Sequence, residues 1–180
     1  ITLDGNGHTI TGSKTGSGVY VYKKTGVTIK NLNVRQFYFG INFAHSSNNT
    51  LINNIALDNN TGIYLYVSSN NTLEDLTLSK SRFGIAFFDT QDSKIENIST
   101  SNNSYIGIYL SSSNNNVLTD ILSLNDSVGI ELDSSSYNTL INNSALNNIY
   151  GIYLTWYSDR NTLTNNTISS SSNDGIYLRY

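Results

Sequence analysis

Apolar and polar positions recur along this chain with a period close to 22 residues, and a glycine marks each repeat. The marker glycines are spaced by 22, 22, 22, 23, 22, 22 and 24 residues; they are Gly18, Gly40, Gly62, Gly84, Gly107, Gly129, Gly151 and Gly175. The first and third residues after each glycine are apolar, as in Gly62-Ile63-Tyr64-Leu65. This alternation predicts a strand whose apolar residues face inward. We expect the glycine itself to serve a turn.

A second apolar column follows in every repeat. It lies 11 residues after its glycine, or 12 in the last full repeat, and comprises Ile29, Leu51, Leu73, Ile95, Leu118, Leu140 and Leu163. Stretches of Ser and Asn, such as 68–71, separate the apolar positions, so three short strands per repeat account for the pattern. Leucine-rich repeats share the asparagine and leucine spacing, but no helical apolar face follows here. The pattern predicts an all-β, single-stranded parallel β-helix of about seven to eight coils, with residues 1–180 as one domain.

Composition narrows the functional classes. A formal net charge of −3 and a pI near 5.1 argue against nucleic-acid binding. The chain has no cysteine, which excludes disulfides and thiolate metal ligands, and no apolar run is long enough to span a bilayer. Because the chain starts at Ile1, inside an expected strand and without a signal segment, we expect a fragment of a longer exported protein.

The repeat resembles a known family. Three features carry the resemblance: Asn-x-Leu-x-x-Asn, as at 49–54, a following Gly-Ile, and the opening string Leu3-Asp4-Gly5-Asn6-Gly7-His8-Thr9-Ile10. Together they resemble the right-handed parallel β-helix repeats of NosD-type domains, also described as the domain of carbohydrate-binding proteins and sugar hydrolases. The resemblance covers essentially the whole chain. It implies an extracellular or cell-surface protein that delivers copper or that binds or cleaves polysaccharides.

The residues argue against the copper function that the resemblance includes. Copper sites use His, Met or Cys ligands. This chain has no Met, no Cys and only two histidines, His8 and His45, with no evident pairing between them. We expect both histidines to lie on the surface, and we predict neither a bound metal nor a cofactor.

Asparagine recurs at two turn positions of the repeat, for example at Asn71 and at Asn54. We expect these amides to form ladders that hydrogen-bond one coil to the next, rather than a ligand-binding stripe. Eight asparagines also begin Asn-x-Ser/Thr sequons, which are N-glycosylation sites in a protein exported from an archaeon or a eukaryote. They are Asn48, Asn59, Asn70, Asn97, Asn102, Asn125, Asn142 and Asn165.

Aromatic residues are the candidates for a binding face. The residue two after each glycine should point to solvent, and tyrosine recurs there on alternate coils, roughly 9–10 Å apart. The predicted ligand or partner face consists of Tyr20, Tyr22, Tyr64, Tyr66, Phe88, Tyr109, Tyr153, Trp156 and Tyr177. Such a row can stack against sugar rings or pack against a neighbouring chain, and tyrosine is also an ordinary surface residue of strands.

Two acidic pairs are the candidates for catalysis. Glu131 and Asp133 share a strand and a face, and Asp89 and Asp92 lie at a turn two coils earlier. Polysaccharide hydrolysis uses two carboxylates about 5–9.5 Å apart, which Glu131 and Asp133 can satisfy. Because the matching positions of the adjacent coils hold no Lys or Arg, solvated surface charge is the default interpretation.

Three hypotheses follow, in this order. The first is a non-catalytic structural or adhesive module of an extracellular protein or assembly, a rigid solenoid that associates with copies of itself laterally or end to end, as in a filament. The second is a carbohydrate-binding module that uses the tyrosine row. The third is a polysaccharide hydrolase or lyase that acts through Glu131 and Asp133. The expected partner is therefore polysaccharide or a second copy of the chain.

Overall fold

The structure, a computed structural model, describes residues 1–179, which form 24 short strands joined by turns. Within these residues there is no helix, and hence none long and apolar enough to cross a membrane. The strands assemble into three eight-stranded sheets, and each turn of the chain adds one strand to each sheet. This arrangement confirms the predicted parallel β-helix.

All three sheets are parallel throughout. Sheet A contains β1 Thr2–Asp4, β4 Thr28–Lys30, β7 Thr50–Ile52, β10 Thr72–Glu74, β13 Lys94–Glu96, β16 Val117–Thr119, β19 Thr139–Ile141 and β22 Thr162–Thr164. Sheet B contains β2 Thr9–Thr11, β5 Asn33–Arg35, β8 Ile55–Leu57, β11 Thr77–Ser79, β14 Ser99–Ser101, β17 Leu122–Leu124, β20 Ser144–Leu146 and β23 Thr167–Ser169. Sheet C contains β3 Ser17–Tyr22, β6 Phe39–Ala44, β9 Thr61–Tyr66, β12 Phe83–Phe88, β15 Ile106–Ser111, β18 Val128–Asp133, β21 Tyr150–Thr155 and β24 Ile176–Arg179.

The register places equivalent residues of successive coils directly beside one another. In sheet A, Leu73 pairs with Leu51 on one side and with Ile95 on the other. At the amino-terminal end Leu3 pairs with Ile29. Each aliphatic column therefore becomes a continuous stack, and Leu51, Leu73 and Ile95 are fully buried in it.

The repeated glycines do not serve turns, and this part of the sequence-based prediction is wrong. The seven repeat glycines from Gly18 to Gly151 all lie inside the long strands of sheet C, and none of them has a positive φ angle. A Cβ atom on Gly62 would lie 2.6 Å from the carbonyl oxygen of Gly84 in the next coil. Glycine is required there because the neighbouring backbone comes too close for any side chain.

The turns instead place other residues in the left-handed region, most of them asparagine, aspartate or serine. Asn48, Asn53 and Asp58 have φ angles of 58°, 52° and 56° at successive corners of one coil. Short polar side chains tolerate this conformation because they hydrogen-bond locally.

The predicted asparagine ladders are present and buried. Asn71 shows the pattern: its Oδ1 accepts the backbone N–H of Asn49 at 2.9 Å, and its Nδ2 donates to the carbonyl oxygens of Ser46 and Ser68. Equivalent bonds between coils involve Asn49, Asn54, Asn59, Asn103, Asn116, Asn138, Asn143, Asn148, Asn161 and Asn166. These amides satisfy buried backbone groups at the corners, where the sheets cannot do so.

Candidate functional site

The outward surface of sheet C carries most of the exposed or half-buried aromatic rings of the coils. On the outside of this sheet, the residue before one glycine contacts the residue two after the glycine of the following coil. Rings of Phe39 and Tyr64 lie 4.4 Å apart in this way, and those of Phe83 and Tyr109 lie 5.7 Å apart. We call this surface the aromatic face; it comprises Tyr20, Tyr22, Phe39, Tyr64, Tyr66, Phe83, Phe88, Tyr109, Tyr150, Tyr153 and Tyr177.

The rings form an unbroken run over the middle coils. Tyr64 contacts Phe88 at 5.6 Å between centroids, and Phe88 contacts Tyr109 at 5.6 Å. A second group follows at the carboxy-terminal end, where Tyr153 lies 5.3 Å from Tyr150 and 4.9 Å from Tyr177. Mutual packing leaves Tyr64 and Tyr109 half-buried, and burial raises the pKa of both phenols. Both rings are therefore held in place before any ligand arrives.

The structure brings eight of the nine predicted face residues onto this one surface. Trp156 is the exception, because it lies at the turn that follows β21, where its side chain is exposed. Sequence reasoning missed Phe39, Phe83 and Tyr150, which precede their glycines. Their signal was the recurrence of an aromatic residue immediately before the glycine, which is informative only once the glycine is known to lie within the strand.

A cleft at the amino-terminal end of the aromatic face contains a buried polar group. It measures about 430 Å³ and is lined by Gly16, Ser17, Tyr20, Tyr38, Phe39 and Asn42. Asn42 is 8% exposed, and its Nδ2 donates to the Ser17 hydroxyl at 3.4 Å. Its Oδ1 accepts no hydrogen bond from any of residues 1–179. A buried acceptor without a donor is costly, so this atom is well placed to accept a bond from a ligand.

The Glu131 and Asp133 pair interrupts the aromatic face between its two groups of rings. Glu131 lies between Tyr109 and Tyr153 in the strand register, and the Tyr109 hydroxyl donates to Oδ2 of Asp133 at 2.9 Å. Burial, followed by the nearby Asp133 carboxylate, raises the pKa of Glu131 to about 7. Glu131 can therefore hold or release a proton near neutral pH, as a general acid must.

The second acidic pair does not join this site. Asp89 and Asp92 are exposed at the corners between sheets C and A, with φ angles of 48° and 54°. Aspartate tolerates the left-handed conformation at such corners, which accounts for its occurrence at both positions.

The sequon asparagines separate into two groups. Seven are exposed corner residues with positive φ; they are Asn48, Asn70, Asn97, Asn102, Asn125, Asn142 and Asn165. Asn59 is 4% exposed, and its amide bonds to the backbone of Phe37 and Val34. That burial argues against a glycan on Asn59, while the other seven sequons stay predictions.

Stacked coils that form three parallel sheets, with groups of outward rings along one of the sheets, define a parallel β-helix protein with an extended aromatic surface. The family described as "Periplasmic copper-binding protein (NosD)" matches residues 2–177. The chain therefore belongs to the NosD family, as the sequence resemblance suggested. A search among curated proteins gives no match.

Several solved structures share the fold. A mutant of the periplasmic alginate epimerase AlgG superposes with a TM-score of 0.75 at 18% identity, covering 91% of this chain and 46% of that chain. The A-module of mannuronan C-5 epimerase AlgE4 from Azotobacter vinelandii gives 0.53 at 16% identity, covering 83% and 61%. The catalytic domain of a GH87 α-1,3-glucanase, in complex with tetrasaccharides, gives 0.53 at 16% identity, covering 87% and 46%. This chain thus spans about half the length of AlgG, and the likeness shows the fold alone.

The donor atoms do not fit the copper of the family's description. His45 lies in edge contact with the rings of Tyr22 and Tyr66, at 5.9 and 5.4 Å, and His8 is exposed at the turn before β2. No three His, Asp or Glu side chains cluster anywhere in residues 1–179, and the sequence has no Cys or Met. Copper sites combine such ligands, so these residues do not make one.

Proposed function

We propose that this chain is the polysaccharide-binding β-helix of an exported protein and that the aromatic face is its binding surface. The observation that carries the proposal is the unbroken run of rings from Phe39 to Tyr109 along one side of the rod. A row of partly exposed rings on a rigid scaffold offers an apolar contact surface at little entropic cost. Parallel strands repeat every ~4.8 Å, so the row presents ring contacts along the length of the rod to an extended polymer.

Two further observations support this function. The cleft beside Tyr20 supplies the Asn42 Oδ1 acceptor, which suits a sugar hydroxyl. The epimerases and the glucanase that share the fold carry names that refer to polysaccharides, a fold-level analogy. The periplasmic descriptions of the family and of AlgG support export.

Tyrosine variants on the face test the proposal by affinity electrophoresis in gels that contain single polysaccharides. We expect Tyr64→Ala and Tyr109→Ala each to weaken binding about tenfold or more, because each removes a pre-positioned ring. Tyr137→Ala is the matched control, since Tyr137 is exposed at a turn off the face and contacts Arg160. Equal binding by all three variants and the parent would contradict the proposal.

Asn42→Leu separates binding from folding. Leucine has a similar volume and removes the acceptor that has no partner in residues 1–179, so the variant should be at least as stable as the parent. We expect polysaccharide binding to fall all the same. Loss of stability together with unchanged binding would show that Asn42 has only a structural role.

Catalysis is a second candidate, favoured by the raised pKa of Glu131 beside a carboxylate that Tyr109 holds. In a glycosidase the protonated Glu131 would donate to the leaving oxygen, while Asp133 acted as base or nucleophile. Reducing-sugar release that Glu131→Gln abolishes would support this activity. Release that persists in Glu131→Gln, or is absent from the parent on every polysaccharide bound, would refute it.

The structural or adhesive module remains a prediction. Lateral self-association would use the aromatic face, whereas end-to-end association would not. Sedimentation velocity distinguishes self-association from polysaccharide binding. If Tyr64→Ala dissociates an oligomer and leaves glycan binding unchanged, the aromatic face is a protein interface instead.

A further inference from the structure

A second cleft lies directly beside the aromatic face and has the opposite character. It follows the turns that lead from sheet B to sheet C over the first coils and measures about 470 Å³. Its lining includes Lys14, Tyr38, Asp58, Lys80 and Arg82. Tyr38 lines both this cleft and the Asn42 cleft, so the two depressions adjoin one another.

Positive charge is in excess in this cleft. Lys14 pairs with Asp58, the one carboxylate in the lining, and this hydrogen bond lowers the pKa of Asp58. Lys80 and Arg82 form no ion pair within 4 Å among residues 1–179, although the charge of Lys80 also contributes to the lowered pKa of Asp58. Two cations thus remain available in a protein whose net charge is −3.

Ring contacts connect these cations to the aromatic face. The Arg82 guanidinium lies 5.3 Å from the ring centre of Phe83 and 5.5 Å from that of Tyr105. On the other side of the cleft, Tyr38 lies edge-on to Phe39 at 4.7 Å. A guanidinium held over aromatic rings still has N–H groups for a bidentate contact with a carboxylate or sulfate.

We propose that Arg82 and Lys80 form a subsite for the acid group of a sugar whose ring rests on the adjoining aromatic face. The ligand class is then an anionic polysaccharide that carries carboxylate or sulfate groups. This inference rests on the proposed function and narrows it. A neutral polysaccharide could use the rings and Asn42, but it would leave the two cations without a counter-charge.

The test compares three polymers by isothermal titration calorimetry with the 180-residue chain: polygalacturonate, dextran sulfate and neutral dextran. We expect one or both polyanions to bind at least about tenfold more tightly than dextran, and the stronger polyanion identifies the acid group. Arg82→Gln and Lys80→Gln should each reduce polyanion affinity about five- to tenfold without changing affinity for dextran. Arg82→Lys should lose nearly as much polyanion affinity as Arg82→Gln, because a lysine ammonium cannot make the bidentate contact of a guanidinium.

Lys94→Gln is the control, since Lys94 is equally a surface cation but lies on sheet A and pairs with Glu96. An equal loss in Lys94→Gln would show general charge attraction and overturn the subsite. Unchanged polyanion affinity in Arg82→Gln and Lys80→Gln would also overturn it; if binding still depended on Tyr64, the aromatic face would stand. If none of the polymers bound, both the subsite and the aromatic-face function would fail.

Discussion

Asparagine has two different roles within most Asn-Asn pairs of this chain. In the pair Asn70-Asn71, the first residue takes a left-handed φ of 55° at an exposed corner, whereas the second is buried in the ladder between coils. The sequence predicted ladders because asparagine recurred at the coil period. The sequence could not show which residue of a pair is the left-handed corner residue and which is the buried ladder residue, since both roles favour a short amide side chain.

Glu131 gives a residue-scale prediction about pH. Its pKa is raised in the folded protein from the ordinary 4.5 to about 7, so the folded state binds the proton more tightly than the unfolded state. The stability from this group is complete below pH 4.5 and is lost as pH rises through 7. Glu131→Gln cannot ionise, so it should exceed the parent in stability at pH 8 by about 1 kcal/mol, after discounting for solvent screening, and show no such gain at pH 4.

Thermal unfolding followed by circular dichroism across this pH range measures the difference. Glu74→Gln, on the outer surface of sheet A, is the matched control. The same pH-dependent gain in the control, or a flat difference in Glu131→Gln, would contradict the assignment.

At the scale of the strand, the feature of sheet C that recurs from coil to coil is the close approach of neighbouring backbones at the repeat glycine. Apolar alternation located the strand correctly, but a glycine at its start is compatible with a turn and with a strand interior alike. The distinction depends on the neighbouring coil, whose carbonyl oxygen excludes a Cβ. A contact of that kind leaves no local sequence signal, and the outward residues before the glycine were missed for the same reason.

Gly62→Ala tests this account. The new Cβ would meet the Gly84 oxygen at 2.6 Å, so the two coils must separate, and we expect a loss of about 2–3 kcal/mol in urea unfolding. Gly175→Ala is the control, because among residues 1–179 its Cβ would meet only the Ile168 Cγ2, at 3.4 Å. Its stability should stay within about 0.5 kcal/mol of the parent. Similar losses in both variants would show that flexibility, not crowding, explains the glycines.

At the scale of the whole molecule, the fold followed from the sequence and the site followed in part. A strict period specifies stacking, because each apolar column can be buried only against its own copies in neighbouring coils. The period did not reveal the basic cleft, since Lys80 and Arg82 have no counterpart at their positions in most coils. Nor did it reveal the Asn42 acceptor, whose burial depends on the surrounding rings.

The stacked architecture predicts that stability couples only between neighbouring coils. Ile63 and Ile85 are paired in adjacent strands, whereas Ile63 and Ile130 are separated by two intervening strands. Each Ile→Val change should cost about 0.5–1.5 kcal/mol. The costs of Ile63→Val and Ile130→Val should add within about 0.3–0.5 kcal/mol, while the adjacent pair should deviate by more. Equal deviations in equilibrium unfolding would indicate long-range coupling instead.

The side-chain hydrogen bonds between coils recur at fixed separations, chiefly 22 or 23 positions and 25 or 26 positions along the chain. One coil is consequently an interchangeable cassette, since removing it leaves matching partners on both sides of the junction. The same five-residue sequence occurs at 50–54 and at 139–143, which are 139 − 50 = 89 residues apart. One stretch of a coil therefore occurs unchanged at two places in the rod. We therefore expect that the length of such a protein can change in steps of one coil, while the side chains on the outer surface of the remaining coils keep their positions.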